Sequence, residues 1–243
     1  MAFAAALLLT AARAAPGDEP ALVADRPGFG ESANTVLKGR AQAEAGAAWT
    51  RIDSRTSTTD LPQLLIRVGL LGPVELRVLA PDYVRTRSYG RTETGWADMA
   101  VGLKVHLGSF GGSDLTLRAT ADVPTGSSDL TAHLVDPEAA VAWSRSLSER
   151  WSLGATVGAR RLRFDHRTLT SPSFSVGRSL GEHLATFVEY GASLGEGLRP
   201  MHRLDHGYTW LVNARTQLDA SLGVALSSAA PDFFVGVGWC RRF

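Results

Sequence analysis

A single cysteine, Cys240, occurs among 243 residues. No disulfide can therefore form within the chain, and the paired C-x-x-C clusters of structural zinc sites are absent. No run of about 18 apolar residues occurs anywhere in the sequence, which excludes a membrane-spanning helix. Nor is there an excess of one charge: 25 Lys and Arg face 24 Asp and Glu, a balance that argues against nucleic acid as a partner. At 44% hydrophobic residues the chain is too apolar to stay disordered. It has no Pro/Ser-rich linker and its 25 Gly are spread evenly, so it reads as one domain. Six histidines (His106, His133, His166, His183, His202 and His206) are scattered without the short spacing of a ligand set, so no metal or other cofactor is expected.

What is present begins at the amino terminus. Ala2 to Ala12 is an apolar run that ends in Ala12-Arg13-Ala14, an A-x-A site for signal peptidase, although no Lys or Arg precedes it. Residues 1–14 are expected to be a cleaved signal peptide, 15–38 a periplasmic or lumenal segment, and 39–243 the body of the fold.

In that body apolar residues recur at every second position, the period of a strand. Leu115, Leu117, Ala119, Ala121 and Val123 share one face, while Asp114, Thr116, Arg118, Thr120 and Asp122 share the other. The same test yields twelve strands, at about 39–50, 61–70, 74–81, 96–107, 114–124, 135–147, 151–162, 172–180, 184–192, 204–211, 217–226 and 233–243. Their connections alternate in length. Residues 51–60, 82–95, 125–134, 163–171, 193–203 and 227–232 form the longer set, and 71–73, 108–113, 148–150, 181–183 and 212–216 the shorter. Long loops at one end and short turns at the other predict an all-β, up-and-down transmembrane barrel of the outer-membrane type, with about twelve strands.

Two further patterns agree. Trp49, Tyr83, Trp96 and Tyr190 fall near the long-loop ends of their strands, and Trp143, Trp151, Trp210, Trp239 and Phe243 near the short-turn ends, as aromatic girdles do at two water interfaces. The face opposite the apolar one is charged. Candidate lumen-lining residues are Glu44, Arg67, Glu75, Arg77, Asp98, Lys104, Arg118, Asp122, Glu138, Glu189 and Asp219, with Asp114, Arg160, Asp205 and Arg242 in the same phase. A dry core would have to pair every one of these charges, so the expectation is a wet lumen. On that phasing, arginine at Leu117 or Val101 should be costly and at inward Thr116 tolerated. Arg51, Arg55, Arg85, Arg87, Arg91, Arg163, Arg167, Arg199 and Arg203 read as solvated loop residues.

Ahead of the first strand lies Asp25-Arg26-Pro27-Gly28-Phe29-Gly30-Glu31-Ser32-Ala33-Asn34-Thr35-Val36. This segment, with Val74-Glu75-Leu76-Arg77, Pro124-Thr125-Gly126-Ser127, Gln217-Leu218-Asp219 and Phe233-Phe234-Val235-Gly236-Val237-Gly238, resembles the MetA-pathway phenol-degradation family of outer-membrane barrels. It departs from the family's usual opening at Gly28, where an acidic residue or asparagine is expected. The resemblance implies passage of small compounds, with aromatic ones indicated by the family label, and brings no catalytic residues. Within it, Asp25, Arg26, Pro27 and Phe29 mark a segment expected to fold into the mouth of the barrel, with Arg26 pairing a lumenal carboxylate.

Enzyme motifs are weak. Gly191-Ala192-Ser193-Leu194-Gly195 matches G-x-S-x-G, but Glu196-Gly197-Leu198-Arg199-Pro200 is a poor helix start. Gly28 to Ala33 fits a dinucleotide fingerprint without the strand that should precede it. The reading is a non-enzymatic outer-membrane pore or transporter for small molecules. Its expected partners are membrane lipid, the barrel-assembly machinery through the strand that ends in Phe243, and an unidentified solute. The alternatives are a non-conducting barrel that scaffolds surface loops, and an outer-membrane hydrolase.

Overall fold

Strands are the only regular elements among the described residues, which are 20–243 of the computed structural model; the expected leader at 1–14 lies outside them. The segments are β1 (Ala41–Arg51), β2 (Thr56–Leu61), β3 (Leu65–Gly69), β4 (Val74–Leu79), β5 (Tyr83–Ser88), β6 (Arg91–Trp96), β7 (Met99–Phe110) and β8 (Ser113–Val123). They continue as β9 (Asp136–Ser146), β10 (Trp151–Leu162), β11 (Arg167–Ser179), β12 (Leu184–Gly195), β13 (Met201–Asn213), β14 (Thr216–Ala225) and β15 (Phe233–Arg242). All pairings are antiparallel, and β15 returns to β1 from Gln42↔Arg242 to Arg51↔Phe233. The sheet is thereby closed, as it must be where no water can satisfy an exposed edge.

Fifteen segments make twelve staves, because β2 runs on into β3, β4 into β5, and β6 into β7. Prolines account for two of the three interruptions: Pro62 and Pro81 have no N–H to give to the ladder. The breaks line up across neighbouring staves and bridge one another. Ala80 N donates to Leu64 O at 2.8 Å, Ala97 N to Asp82 O at 2.8 Å, and Gln63 N to the Asp82 carboxylate at 2.7 Å. The result is a crease, beyond which β2, β5 and β6 form a projecting panel.

This panel corrects the sequence reading. Residues 56–61 and 83–96, expected as loop, are strand, and the turns at 52–55 and 89–90 are short. Likewise β11 to β13 extend past their expected bounds, which leaves 124–135 as the one long connection. The asymmetry between the two ends lies in strand overhang more than in loop length. Both described termini lie at the end where the turns are 70–73, 111–112, 147–150, 180–183 and 214–215.

The burial pattern is inside out. Fully buried side chains include Arg67, Lys104, Glu44 and Glu75, while Val101, Leu117, Val157, Val188, Leu222 and Val237 are exposed on the outer face. Aromatic contacts sit where the girdles were expected, with Trp49 against Phe233 and Tyr83 against Trp96 at ring distances of 5.4 Å. Thr116 faces inward but is only 1% exposed, so an arginine would not fit there and the expectation of tolerance fails on packing. Ser175, also inward, borders an open cavity.

The two faces can be tested at one height. Leu117→Arg should cost about 2–4 kcal/mol of barrel stability in urea titrations of the protein refolded in liposomes, because the cation enters lipid. Ser175→Arg should keep the heat-modifiable folded form and lose far less.

Candidate functional site

A chain that enters a barrel must find partners for its peptide groups there, and residues 20–38 form no strand that would supply them. The wall supplies them. At the terminal end Arg242 donates to Pro20 O at 2.5 Å and Leu22 N to Ala214 O at 3.0 Å. Deeper, Gln42 donates to Val23 O and Asp25 N to the Glu44 carboxylate, both at 3.0 Å. The chain then crosses the lumen. Phe29 N and Gly30 N donate to the two carboxylate oxygens of Glu189 on β12 at 2.6 and 2.8 Å, and Glu31 N donates to Thr156 Oγ1 on β10 at 3.0 Å. It returns past Val36 N, which donates to Glu75 at 2.7 Å, to a parallel bridge between Lys38 and Gly69.

Glycines allow this path. A Cβ on Gly28 would run into the Glu189 carboxylate, which explains why the family's usual acidic residue does not suit this chain. A Cβ on Gly30 would meet Glu189 at 2.8 Å and Thr156 at 2.9 Å.

Charge follows the same route. The Asp25 carboxylate lies 2.6 Å from Arg77, 3.1 Å from Lys104 and 3.4 Å from Arg67. Glu31 reaches Arg118 at 2.7 Å, Arg77 at 3.4 Å and Lys104 at 3.5 Å. The wall adds Glu44 and Glu75, each 2.8 Å from Arg67, and Glu138 at 2.5 Å from Arg118. Lys104 is fully buried, and its ion pairs among the described residues are both to the segment. On the other side Arg26 pairs with Asp219 at 3.4 Å and donates to Gln63 at 2.8 Å.

The structure thus gathers Glu44, Arg67, Glu75, Arg77, Lys104, Arg118 and Glu138 around Asp25 and Glu31, and these charges are paired under protein instead of facing a wet lumen. Asp122 stands apart with Arg160, and Glu189 sits on the facing wall. Asp98 is not a residue of the lumen ladder. It lies in the break between β6 and β7 and accepts from Thr125 N, Gly126 N and Ala132 N at 2.7–2.9 Å, which holds the 124–135 loop. Arg203, read as a loop residue, is inward, with its guanidinium 4.4 Å from the centre of the Phe29 ring. Phe29 also packs edge-on against Phe234 at 5.6 Å. Ser193 of the G-x-S-x-G match lies within β12, with no helix after it.

Segment residues Asp25 to Gly28, Gly30 and Glu31 border two cavities. One, of about 580 Å³, opens toward the terminal end along β9 to β13. The other, of about 460 Å³, lies toward the loops beside Asp60, Asp82, Arg203 and Phe234. Sequence reasoning missed the wall of the first, whose signal is the alternation of Ser, Thr and Gly at inward positions of β10 and β11.

Residues 24–243 match the family described as "Putative MetA-pathway of phenol degradation". The chain belongs to this family. Among solved structures it is similar to the COG4313 outer membrane channel from Pseudomonas putida F1, at 14% identity and a TM-score of 0.62, over 95% of this chain and 100% of that one. The KdgM porin matches at 9% identity and TM-score 0.60, and the NanC porin at 7% and 0.58; each covers 83% of this chain, with 99% and 98% of their own. These likenesses establish the fold, that of outer-membrane barrels. A match over 95% of the chain must reach beyond β1 into the preceding segment, whereas 83% is about the barrel alone. No curated protein matches the chain at a significant level.

Removing the Asp25 carboxylate leaves three cations short of a counter-charge, a loss of about 3–5 kcal/mol to the docked segment. Cys240 is fully buried and is the register partner of Glu44, which the segment covers through Asp25 N. In Asp25→Ala the barrel should stay heat-modifiable while this thiol reacts with a maleimide about tenfold faster or more.

Proposed function

We propose that this protein is a passive channel of the bacterial outer membrane for small molecules, with the segment at 20–38 as its constriction. The observation that carries the reading is the placement of that segment between two cavities in a closed, polar-lined barrel. Diffusion through such a lumen is selected by its width and by the groups that line it. The family label favours small aromatic compounds as the solutes. The role is non-enzymatic: the matches to catalytic motifs fall in β12 and in the segment, neither of which forms the turn the motif needs. Export through a cleaved leader, with both termini in the periplasm, completes the reading.

A non-conducting scaffold is the second reading, favoured by how fully the segment pairs with the charged wall. The last strand would serve assembly in either case. Val235, Val237, Trp239 and Phe243 share the exposed face, and a barrel must present its final strand for closure against β1. Deleting Phe243 should lower the amount of folded protein recovered from outer membranes.

Planar-bilayer recording separates channel from scaffold. The mature protein should conduct, and mature protein lacking residues 15–36 should show a larger single-channel conductance. Identical conductance would remove the segment from the pore, and silence from both forms would leave the scaffold.

A further inference from the structure

The lumen is asymmetric, and its uncharged side has a chemistry of its own. Inward positions on β10 are Ser152, Gly154, Thr156 and Gly158; across the ladder on β11 they face Gly177, Ser175, Ser173 and Ser171. Each level carries at least one hydroxyl, and at three levels the opposite residue is glycine. A Cβ on Gly154 would meet Ser175 Oγ at 2.6 Å, and one on Gly177 would meet Ser152 Oγ at 2.6 Å. The serine side chains therefore lie over bare backbone. That keeps the wall flat and the space beside it open, and leaves the oxygens at the surface. Ser144 on β9, opposite Gly154, extends the strip. The hydroxyls of Ser144, Ser152 and Ser175 make no hydrogen bond to protein among the described residues, and all three border the terminal cavity.

The charges that share this cavity are already engaged. Glu189, at its inner end, accepts from Phe29 N and Gly30 N, and Asp25 and Glu31 face the cations of the opposite wall. Arg150 and Glu149 belong to the turn at the rim. An ion moving along the strip would give up hydration for hydroxyl dipoles alone, whereas an uncharged solute exchanges water hydrogen bonds one for one. A hydroxyl both donates and accepts, so the same wall serves an alcohol, a phenol or an amide.

We propose that the Ser144–Ser152–Ser175 strip is the solute path of the terminal vestibule and that it favours uncharged, hydrogen-bonding small molecules over ions of similar size. This rests on the channel reading above and names the solute class for it.

The test uses the full mature protein in liposomes, with a neutral pentose and the sodium salt of the matching sugar acid as probes. Swelling should be faster with the pentose. The Ser144→Ala/Ser152→Ala/Ser175→Ala variant keeps the wall's shape and leaves Ser173, which touches the segment, in place. It should slow pentose entry about fivefold, the size of one lost net hydrogen bond, with potassium chloride conductance nearly unchanged. Unchanged pentose entry in a conducting variant overturns the strip and leaves the channel standing. So does an equal fall in pentose entry and conductance, or a wild type that prefers the acid. A wild type that neither swells nor conducts overturns the channel reading itself.

Discussion

Hydrocarbon offers a peptide N–H no partner except another peptide, and the rest of this structure depends on that constraint. It makes the sheet close through β1 and β15, and closure makes each stave present alternate residues to lipid and to the interior. The interior then takes whatever lipid rejects. Twelve staves enclose more space than their own side chains can fill, and the chain uses that space by folding residues 20–38 back through it.

How the segment is held explains the distribution of charge. Arg67, Arg77, Lys104 and Arg118 come from β3, β4, β7 and β8, which are neighbouring staves, and Asp25 and Glu31 reach all four. Two acids thus tie one quarter of the wall together. Buried ion pairs of this kind add little to stability over apolar packing, but they penalise every arrangement that leaves one member without its partner. The facing wall follows the opposite rule, with small hydroxyl and glycine positions and a single acid, Glu189, that binds backbone. Between a wall that is filled and a wall that is bare, open volume is left on one side.

The parts of the fold that were legible in sequence are those in contact with lipid, where alternation is enforced residue by residue. Leu115 to Val123 is such a case, and its phase in the barrel is the one the sequence indicates. The misread parts lie outside that contact. Thr56–Leu61 and Tyr83–Trp96 are strands in water on both faces, so nothing requires them to alternate and they look like loop. Arg203 looked like a surface arginine because the strand that turns it inward begins earlier than its apolar pattern does. Asp98 kept the right phase, yet the stave breaks beside it and its carboxylate serves a loop instead.

The sequence by itself determined the closed barrel of about twelve staves, which residues face in, and the family, because all three are written in local alternation and in the Asp25–Val36 segment. Only the tertiary structure decided that the inward charges are paired rather than solvated. It also decided that Thr116 has no room, and that the open space runs along the serine side. Those outcomes depend on where one segment crosses a lumen whose walls come from staves far apart in sequence, and Asp25 meets Lys104, or Phe29 meets Glu189, only once the barrel has closed around them.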